Sequence, residues 1–407
     1  MSSQLRRQTI LVTGGTGLLG SHIVARLLAD GHNVLALARG RGELGAAQRM
    51  SRRLDWFGTP PGQRDRLEVL EGRLERPDLG LDARSTQYVR SEVDETIHCA
   101  SDTSFSADKR EQVERANVQG LEHLLDLLQR SRCRTLQLIS TAYVAGKRTG
   151  SCPEAFGPVE SFHNVYEETK HQAERIAATR CAQSEIALTV HRPSIVYGDA
   201  STGRTFLFNA LYYPVRTLHF FQKLYARDIR SGGGAKARAM GVCLEKSGEL
   251  RLPLRLADPV GCGLNLIPVD HFIRAFMALR AATRQDGGVF HIVNPRSTTM
   301  AELVDFTSRF FGLTGIEVVC PDDFDTRPRN GLELLFENHI HAYGSYMRDA
   351  RIFEHSRAAA ILTRDGISCP EFTSDIFTTC MQYALEVDWG KNPDPVPRGS
   401  GEGASAG

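Results

Sequence analysis

The sequence predicts an α/β fold: a Rossmann-type, doubly wound parallel sheet with a smaller C-terminal substrate-binding lobe. Three observations predict it. A short β-branched run ends in a glycine-rich turn and passes straight into a helical pattern. Further apolar runs of strand length recur at intervals that leave room for crossover helices. A Tyr-x-x-x-Lys pair then follows one of the strand ends.

The first strand is expected at Thr9 to Thr13, where a continuous apolar run suits a strand buried on both faces. The turn carries Gly14, Gly15, Gly17 and Gly20. From Leu18 the apolar residues recur with helical spacing through Leu19, Ile23, Leu27 and Leu28, and Asp30-Gly31 is a stop signal. Strand, turn and helix in that order bring backbone N–H groups and a helix N-terminus to a pyrophosphate, and a Cβ at a close-approach glycine would hold the phosphate away. The spacing Gly14, Gly17, Gly20 is GxxGxxG rather than GxGxxG. Glycines also serve ordinary turns, so the flanking strand and helix carry the argument.

The second strand, "HNVLALA", runs into Arg39. An acid about 20 residues beyond the glycines would suit the ribose 2′-hydroxyl of NAD; an arginine suits a 2′-phosphate, because its guanidinium offers charge and a fork of donors. Arg39 therefore points to NADP, with Arg49 near enough to share the contact. The bland alternative is that Arg39 and Arg41 are simply solvated.

Four more strands are expected at Arg66–Gly72, Glu95–Ala100, Thr135–Ser140 and Ala187–Pro193. The clearest helix between them is "NVQGLEHLLDLLQR", with Val118, Leu121, Leu124, Leu125 and Leu128 on one face. In a doubly wound sheet ligands bind at the C-terminal strand ends, so the residues just past each strand matter most.

Past the fifth strand comes "ISTAYVAG", and then "NVYEETKHQAER", a helix start with Tyr166 and Lys170 on one face. Ten tyrosines and seven lysines would give about 0.17 such pairs by chance, so position adds as much as pattern. Hydride addition to a carbonyl leaves an alkoxide that must be stabilised and protonated. The Tyr166 phenol would give the proton, the Lys170 ammonium would favour its phenolate and could hold the nicotinamide ribose, and Thr141 would donate to the same substrate oxygen. A strand-end hydroxyl such as Ser140 or Thr141 also commonly caps a turn.

Composition sets the outer bounds. The 407 residues balance to a net charge of +1, with 24% charged, which argues against a binder that works by phosphate neutralisation of nucleic acid. Nine scattered cysteines without a CxxC pair fit a reduced, cytoplasmic chain. No apolar signal core or transmembrane run is evident; "TFLFNALYYPVRTLHFF" is broken by Asn209, Pro214 and Arg216. His98, His271 and His291 lie in core-like runs without clustered acids or thiols, so no metal is expected.

"TGGTGLLG", "STAYV", "YEETK" and "RPSIVYGD" together resemble an extended short-chain dehydrogenase/reductase over most of the first 300 residues. Within that superfamily the chain most resembles the thioester reductases, terminal domains of carboxylic acid reductases and nonribosomal peptide synthetases, and the related fatty acyl-CoA reductases. Arg39 with "AAQRMSRRL", "LEVLEGRLERPDLGLD", "VDETIHCASDTSF", and "LNLIPVDHFIRAF" followed by "GVFHIVNPRSTTMAELVDF" carry that likeness. The resemblance implies NADPH as cofactor and an acyl thioester on CoA or a carrier protein as substrate, reduced to an aldehyde or on to an alcohol in a biosynthetic pathway. It implies Thr141, Tyr166 and Lys170 as the catalytic set. It places the dinucleotide against Gly14, Thr16, Gly17, Leu18, Gly20, Arg39, Arg49, Leu74, Ala100, Tyr166, Lys170 and Pro193. One departure stands out: Gly72-Arg73-Leu74 replaces the family's Gly-Asp-Leu, which removes an acceptor for adenine.

The expected division assigns residues 1–197 to the NADP-binding domain, with 264–297 returning to it. Residues 198–263 and 298–389 form the substrate lobe, and 390–407 a disordered Pro/Gly/Ser-rich tail. "TFLFNALYYPVRTLHFF" would line an acyl tunnel or be plain core. "YARDIRSGGGAKARAM" would dock an acidic carrier or, more blandly, be a solvated flexible loop. Two other functions share parts of the pattern. A nucleotide-sugar epimerase or dehydratase has the glycine turn and the Tyr–Lys pair but usually keeps NAD; a non-catalytic NADP sensor has no need of Thr141, Tyr166 and Lys170 together.

Overall fold

The computed structural model describes residues 7–259 and 261–392. Seven parallel strands form the central sheet: β1 (Thr9–Thr13), β2 (Asn33–Ala38), β3 (Leu67–Glu71), β4 (Glu95–His98), β5 (Thr135–Ile139), β6 (Ala187–Pro193) and β7 (Gly288–Ile292). Their spatial order is β7-β6-β5-β4-β1-β2-β3, the doubly wound arrangement the sequence predicts. The order reverses beside β1, and the register aligns the strand ends there: Thr13 faces Leu37 on one side and His98 on the other.

The helices that cover the sheet explain the continuous apolar strands. Ile10 and Val12 point to the face covered by α1 (Leu18–Ala29), whose Ile23, Val24, Leu27 and Leu28 are fully buried against them. Leu11 points the other way, to a face packed by Leu121, Leu124, Leu125 and Leu128. Period-two alternation with both faces buried keeps Ile10, Leu11 and Val12 apolar between the two threonines of β1. The helix α2 (Ala46–Phe57) follows β2, and the "NVQGLEHLLDLLQR" helix is α3 (Gly120–Gln129). A five-residue π-wound stretch, Arg115–Gln119, runs into α3. The Tyr–Lys helix is α4 (Val165–Gln183), begun by Asn164, whose side chain accepts from the Glu167 backbone N–H.

Two features cut across the expected division of the chain. The segment that leads back to the sheet, α6 (Val269–Ala282) and β7, is joined on that face by the later helix Ser356–Leu362, whose Ala358 and Leu362 sit in the same core as Ile10 and Phe276. The strand Arg351–Phe353 pairs in parallel with Gly150–Cys152, beside the end of β5. The remaining C-terminal chain packs a separate core with α5 (Tyr212–Ser231) and a three-stranded sheet of Cys243–Leu244, Leu250–Ala257 and Leu313–Val319.

The basic, glycine-rich run is not a loop. Helix α5 extends through it to Ser231, and a second helix spans Ala235–Ala239. Asp228 closes the turn between them: its carbonyl accepts from the N–H groups of Gly232 and Gly234, and its carboxylate from that of Ala237. Of the expected tail, Gly390 ends a short helical turn, the Asn392 N–H donates to the Val387 carbonyl, and 393–407 lie outside the described residues. All nine cysteines are free thiols. No helix of the described residues is long and apolar enough to cross a membrane, and none of their His, Cys, Asp and Glu side chains form a metal-holding group of three.

Candidate active site

The glycine turn is shaped first by the protein itself. Gly14 has φ +73°, and a Cβ there would lie 2.6 Å from the Ala100 nitrogen. A Cβ on Gly20 would lie 2.2 Å from the Gly14 carbonyl oxygen. Both glycines therefore serve close packing of β1, α1 and the end of β4. Gly17 differs: it is exposed, and its Cβ would meet only the Gly14 oxygen, at 3.3 Å. Of the three spaced glycines, this one faces outward. Gly17 also precedes α1 with no side chain capping the helix, so the first-turn N–H groups at Leu18 and beyond are available to an anion. Thr16 sits at the crest, its carbonyl accepting from Arg53 Nε at 3.2 Å.

Four arginines gather beside this turn. Arg39 follows β2, and Arg49 on α2 donates to the Arg39 carbonyl at 2.5 Å. Burial lowers the Arg49 pKa, and the positive charges of Arg39 and Arg41 lower it further. Arg53, one turn along α2, is lowered by burial and by Arg49, and stacks 3.6 Å over the Phe206 ring. Mutual repulsion of this kind is relieved by a bound polyanion. The acids close by are Glu75, 3.5 Å from Arg39, and Glu71, which accepts from the Ala46 N–H. An uncapped 12-residue helix, an outward glycine and a repelling arginine cluster fit the phosphates of a dinucleotide.

Leu74 lies on the far side of the sheet end: its carbonyl accepts from His123, and it packs where a Cβ on Gly120 would lie 2.9 Å from its own. Arg73 is exposed.

The catalytic candidates converge beyond β5. Thr141 is buried, and its hydroxyl donates to the Pro193 carbonyl at 3.5 Å while accepting from the Tyr143 N–H at 3.3 Å. It therefore caps its turn and lies near enough to Tyr166 for its hydroxyl to favour the ionised phenol. Burial pushes the Tyr166 pKa up, and the Thr141 contact only partly opposes this. Lys170, one turn further along α4, donates to the Ile139 carbonyl at 2.6 Å. Burial pushes its pKa down to about 8, against the opposing pull of Cys99 and Glu174. In this geometry Tyr166 is a neutral phenol, the form that gives a proton. His98, buried behind the site, shares a 2.8 Å hydrogen bond with Thr13; burial, then Lys170, holds its pKa at about 3.

Thr141 and Tyr166 open into a cleft of about 870 Å³ walled by Phe105, Tyr143, Tyr343, Tyr346 and Met347. Leu207, Asn209, Ala210 and Pro214 complete it, whereas Tyr212, Val215, Leu218 and Phe221 of the same aromatic run are buried core. One part of that run thus lines the cleft and the other is core. Ser194 also lines the cleft, and its buried hydroxyl has no protein partner.

Several residues here carry no sequence signal. Asn117, in the π-wound turn, bonds Thr169 of α4 at 3.0 Å and both backbone groups of Asp102. Arg351 is 2% exposed and donates to Asp349 at 2.7 Å and to the Gly146 carbonyl at 2.6 Å. It lies 3.6 Å from Glu167 and 4.7 Å over the Tyr143 ring. Burial alone would lower its pKa, but Asp349 and then Glu167 raise it overall. One guanidinium thus ties the turn bearing Thr141 to the helix bearing Tyr166.

Residues 12–276 match the model of the NAD-binding family described as male sterility protein. The chain belongs to that family. That match is in line with the resemblance drawn from the sequence. A family relative from Brevibacillus parabrevis, one of the subunits of its linear gramicidin synthase, is 22% identical over 92% of this chain. The chain spans 7% of that relative, and 4% and 5% of two fungal hybrid synthetases it matches. The terminal R domain of the myxalamid PKS-NRPS pathway superposes with a TM-score of 0.72 at 21% identity, covering 95% of this chain and 93% of that one. A thiolation-reductase di-domain from an archaeal nonribosomal peptide synthetase gives 0.70 at 18%, covering 95% and 77%. These structures share the fold.

Proposed function

We propose that the chain is an NADPH-dependent reductase of acyl thioesters borne on a carrier protein or CoA, releasing an aldehyde. The observation that carries this reading is that Thr141 and Tyr166 line one aromatic cleft, with the glycine turn and arginine cluster at the ends of neighbouring strands. Bound at that turn, the dinucleotide supplies a hydride to the thioester carbonyl carbon. Thr141 and Tyr166 hold the carbonyl oxygen from the start. As the C–O double bond opens, Tyr166 gives its proton to the oxygen, and a hemithioacetal results. Tyr166 then takes that proton back as the C–S bond breaks and the carbonyl re-forms; the thiolate leaves and is protonated by water. One thioester, one hydride and one proton give one aldehyde and one thiol. Lys170, anchored on Ile139, keeps positive charge beneath the phenol and the ribose. The aromatic walls exclude water from the acyl chain.

The arginine cluster supports NADPH over NADH, and the relatives named as synthetases and as a thiolation-reductase di-domain support a carrier-borne substrate. Incubation with NADPH and a panel of acyl-CoA and acyl-carrier thioesters tests the reading. Dinucleotide oxidation is expected only with thioesters, and Tyr166→Phe is expected to lower kcat about 10²–10⁴-fold while dinucleotide binding persists. Turnover of a UDP-sugar without net NADPH loss would make the chain an epimerase, and binding without any turnover a sensor.

A further inference from the structure

A second cavity lies across the Arg351–Tyr143 contact from the cleft. It is an open groove of about 760 Å³ lined by Lys147, Arg148, Thr149, His163, Arg348 and, at its inner wall, the Asp349–Arg351 pair. Its charge is one-sided. Lys147, Arg148 and Arg348 are exposed, and the one carboxylate in the lining, Asp349, is held by Arg351. The Arg148 guanidinium donates to the Pro158 carbonyl, and Asp258, whose pKa burial raises, lies near enough to Arg348 for the guanidinium to oppose that rise. Thr149 and Ser345 add hydroxyls at the rim.

The groove is a continuation of the catalytic elements. Lys147 and Arg148 follow the turn that Thr141 begins, His163 precedes Tyr166 by three residues, and Arg348 follows the cleft residues Tyr346 and Met347. At no more than ~3.6 Å per residue, the His163 and Tyr166 Cα atoms lie within about 11 Å of each other. A phosphopantetheine arm has two amides and about as many backbone atoms between sulfur and phosphorus as four residues, hence a reach of roughly 14 Å. A thioester at Tyr166 therefore puts its phosphate within range of this groove.

We infer that the groove formed by Lys147, Arg148 and Arg348 binds the phosphate of the substrate's phosphopantetheine arm. The inference rests on the thioester-reductase reading and deepens it: recognition of the arm is divided between an apolar cleft for the acyl chain and a cationic groove for the phosphate. The arm is common to CoA and carrier-bound substrates, so the groove serves both.

The test compares one acyl group on 4′-phosphopantetheine, on pantetheine lacking the phosphate, on CoA and on a carrier protein. The unaltered protein is expected to show a KM for acyl-phosphopantetheine about tenfold or more below that for acyl-pantetheine, as two or three charge-assisted contacts allow. The exposed-site variants Lys147→Glu and Arg348→Glu are expected to erase that difference, raising KM for the three phosphate-bearing substrates in parallel without a change in kcat. Equal KM values with and without the phosphate in the unaltered protein overturn the inference. So does a loss confined to the carrier-borne substrate, which would put the contact on the carrier's own surface. Reduction of acyl-pantetheine separates the two readings: if it proceeds while the phosphate makes no difference, only the groove assignment falls. If no thioester is reduced, the reductase reading falls and the groove assignment with it.

Discussion

Between Thr13 and Gly20 the dinucleotide side of the site is built within eight residues, by backbone that is contiguous in sequence. Between Gly146 and Glu167 the substrate side is fixed by a guanidinium that arrives 205 residues after the carbonyl it holds. The first arrangement depends on missing side chains, because Gly14 and Gly20 let β1, α1 and the end of β4 touch. The second depends on side chains that must all be present, Arg351, Asp349 and Glu167. The contrast suggests that the two sides fail differently when altered.

The largest expected effect is at Arg351. Arg351→Met leaves Asp349 and Glu167, 5% and 0% exposed, as buried carboxylates without their cation. Such a change costs about 3–5 kcal/mol, read as a shift of the denaturant midpoint. The double variant Arg351→Met, Asp349→Leu is expected to recover part of that loss, since it removes one orphaned charge. A single-variant loss under about 1 kcal/mol, the scale of an exposed pair, would mean that the substrate side is not held this way.

The glycines sharpen the dinucleotide half of the comparison. Gly20→Ala drives a Cβ into the Gly14 carbonyl, so backbone must move; a loss of about 1–3 kcal/mol of stability is expected, as for an overpacked core. Gly17→Ala meets only a 3.3 Å contact and keeps the fold. It is expected instead to weaken dinucleotide binding, measured by titration of NADPH fluorescence. Equal stability losses at the two positions would erase the distinction between a packing glycine and a ligand-facing one.

What was legible in the sequence follows the same line. Strands β1 and β2, helix α1 and the position of Arg39 could be read because each is a local pattern: period two, period 3.6, or a fixed offset from a turn. Thr141, Tyr166 and Lys170 stand out together in the sequence because they follow one strand end; the bond from Lys170 to the Ile139 carbonyl does not, since it needs the folded sheet. Arg351 and Asp349 were not, because an arginine in a chain with 49 basic residues announces nothing until a carboxylate 184 residues away is folded against it. The turn at Gly232–Gly234 departs from its sequence pattern for a related reason. Three consecutive glycines suggest freedom, and only the side chain and carbonyl of Asp228 show that the turn is closed. Helix Ser356–Leu362 likewise looks like part of the second lobe until its Ala358 and Leu362 are seen in the core beneath α6.

A smaller effect is expected at Arg39, whose side chain is 67% exposed and shares Glu75. Arg39→Ala should weaken NADPH binding by about tenfold, at the lower end for a charge-assisted contact, because water and Arg49 remain to screen the phosphate. NADH binding should change less than about twofold, since it has no 2′-phosphate to lose. Parallel losses for the two dinucleotides would take the 2′-phosphate away from this cluster.

The mildest test uses pH and joins the two sides at Lys170, which is buried between the strand ends and α4. Its ordinary pKa of 10.5 is lowered to about 8, so the ammonium is present below that pH and lost above it. Tyr166 moves the opposite way and stays a protonated phenol throughout the range. Turnover should therefore be flat on the acid side and fall as pH rises through about 8, approaching tenfold per unit once Lys170 is neutral. The inflection should belong to kcat as well as to kcat/KM, because the proposed role of Lys170 is in the chemical step and not in substrate capture. The Tyr166→Phe variant, measured by its residual rate, should keep the inflection, since the titrating group is the amine. A profile that stays level to about pH 10 would mean that the charge on Lys170 contributes nothing to the chemical step, and that its bond to Ile139 serves only to pack α4 against the sheet.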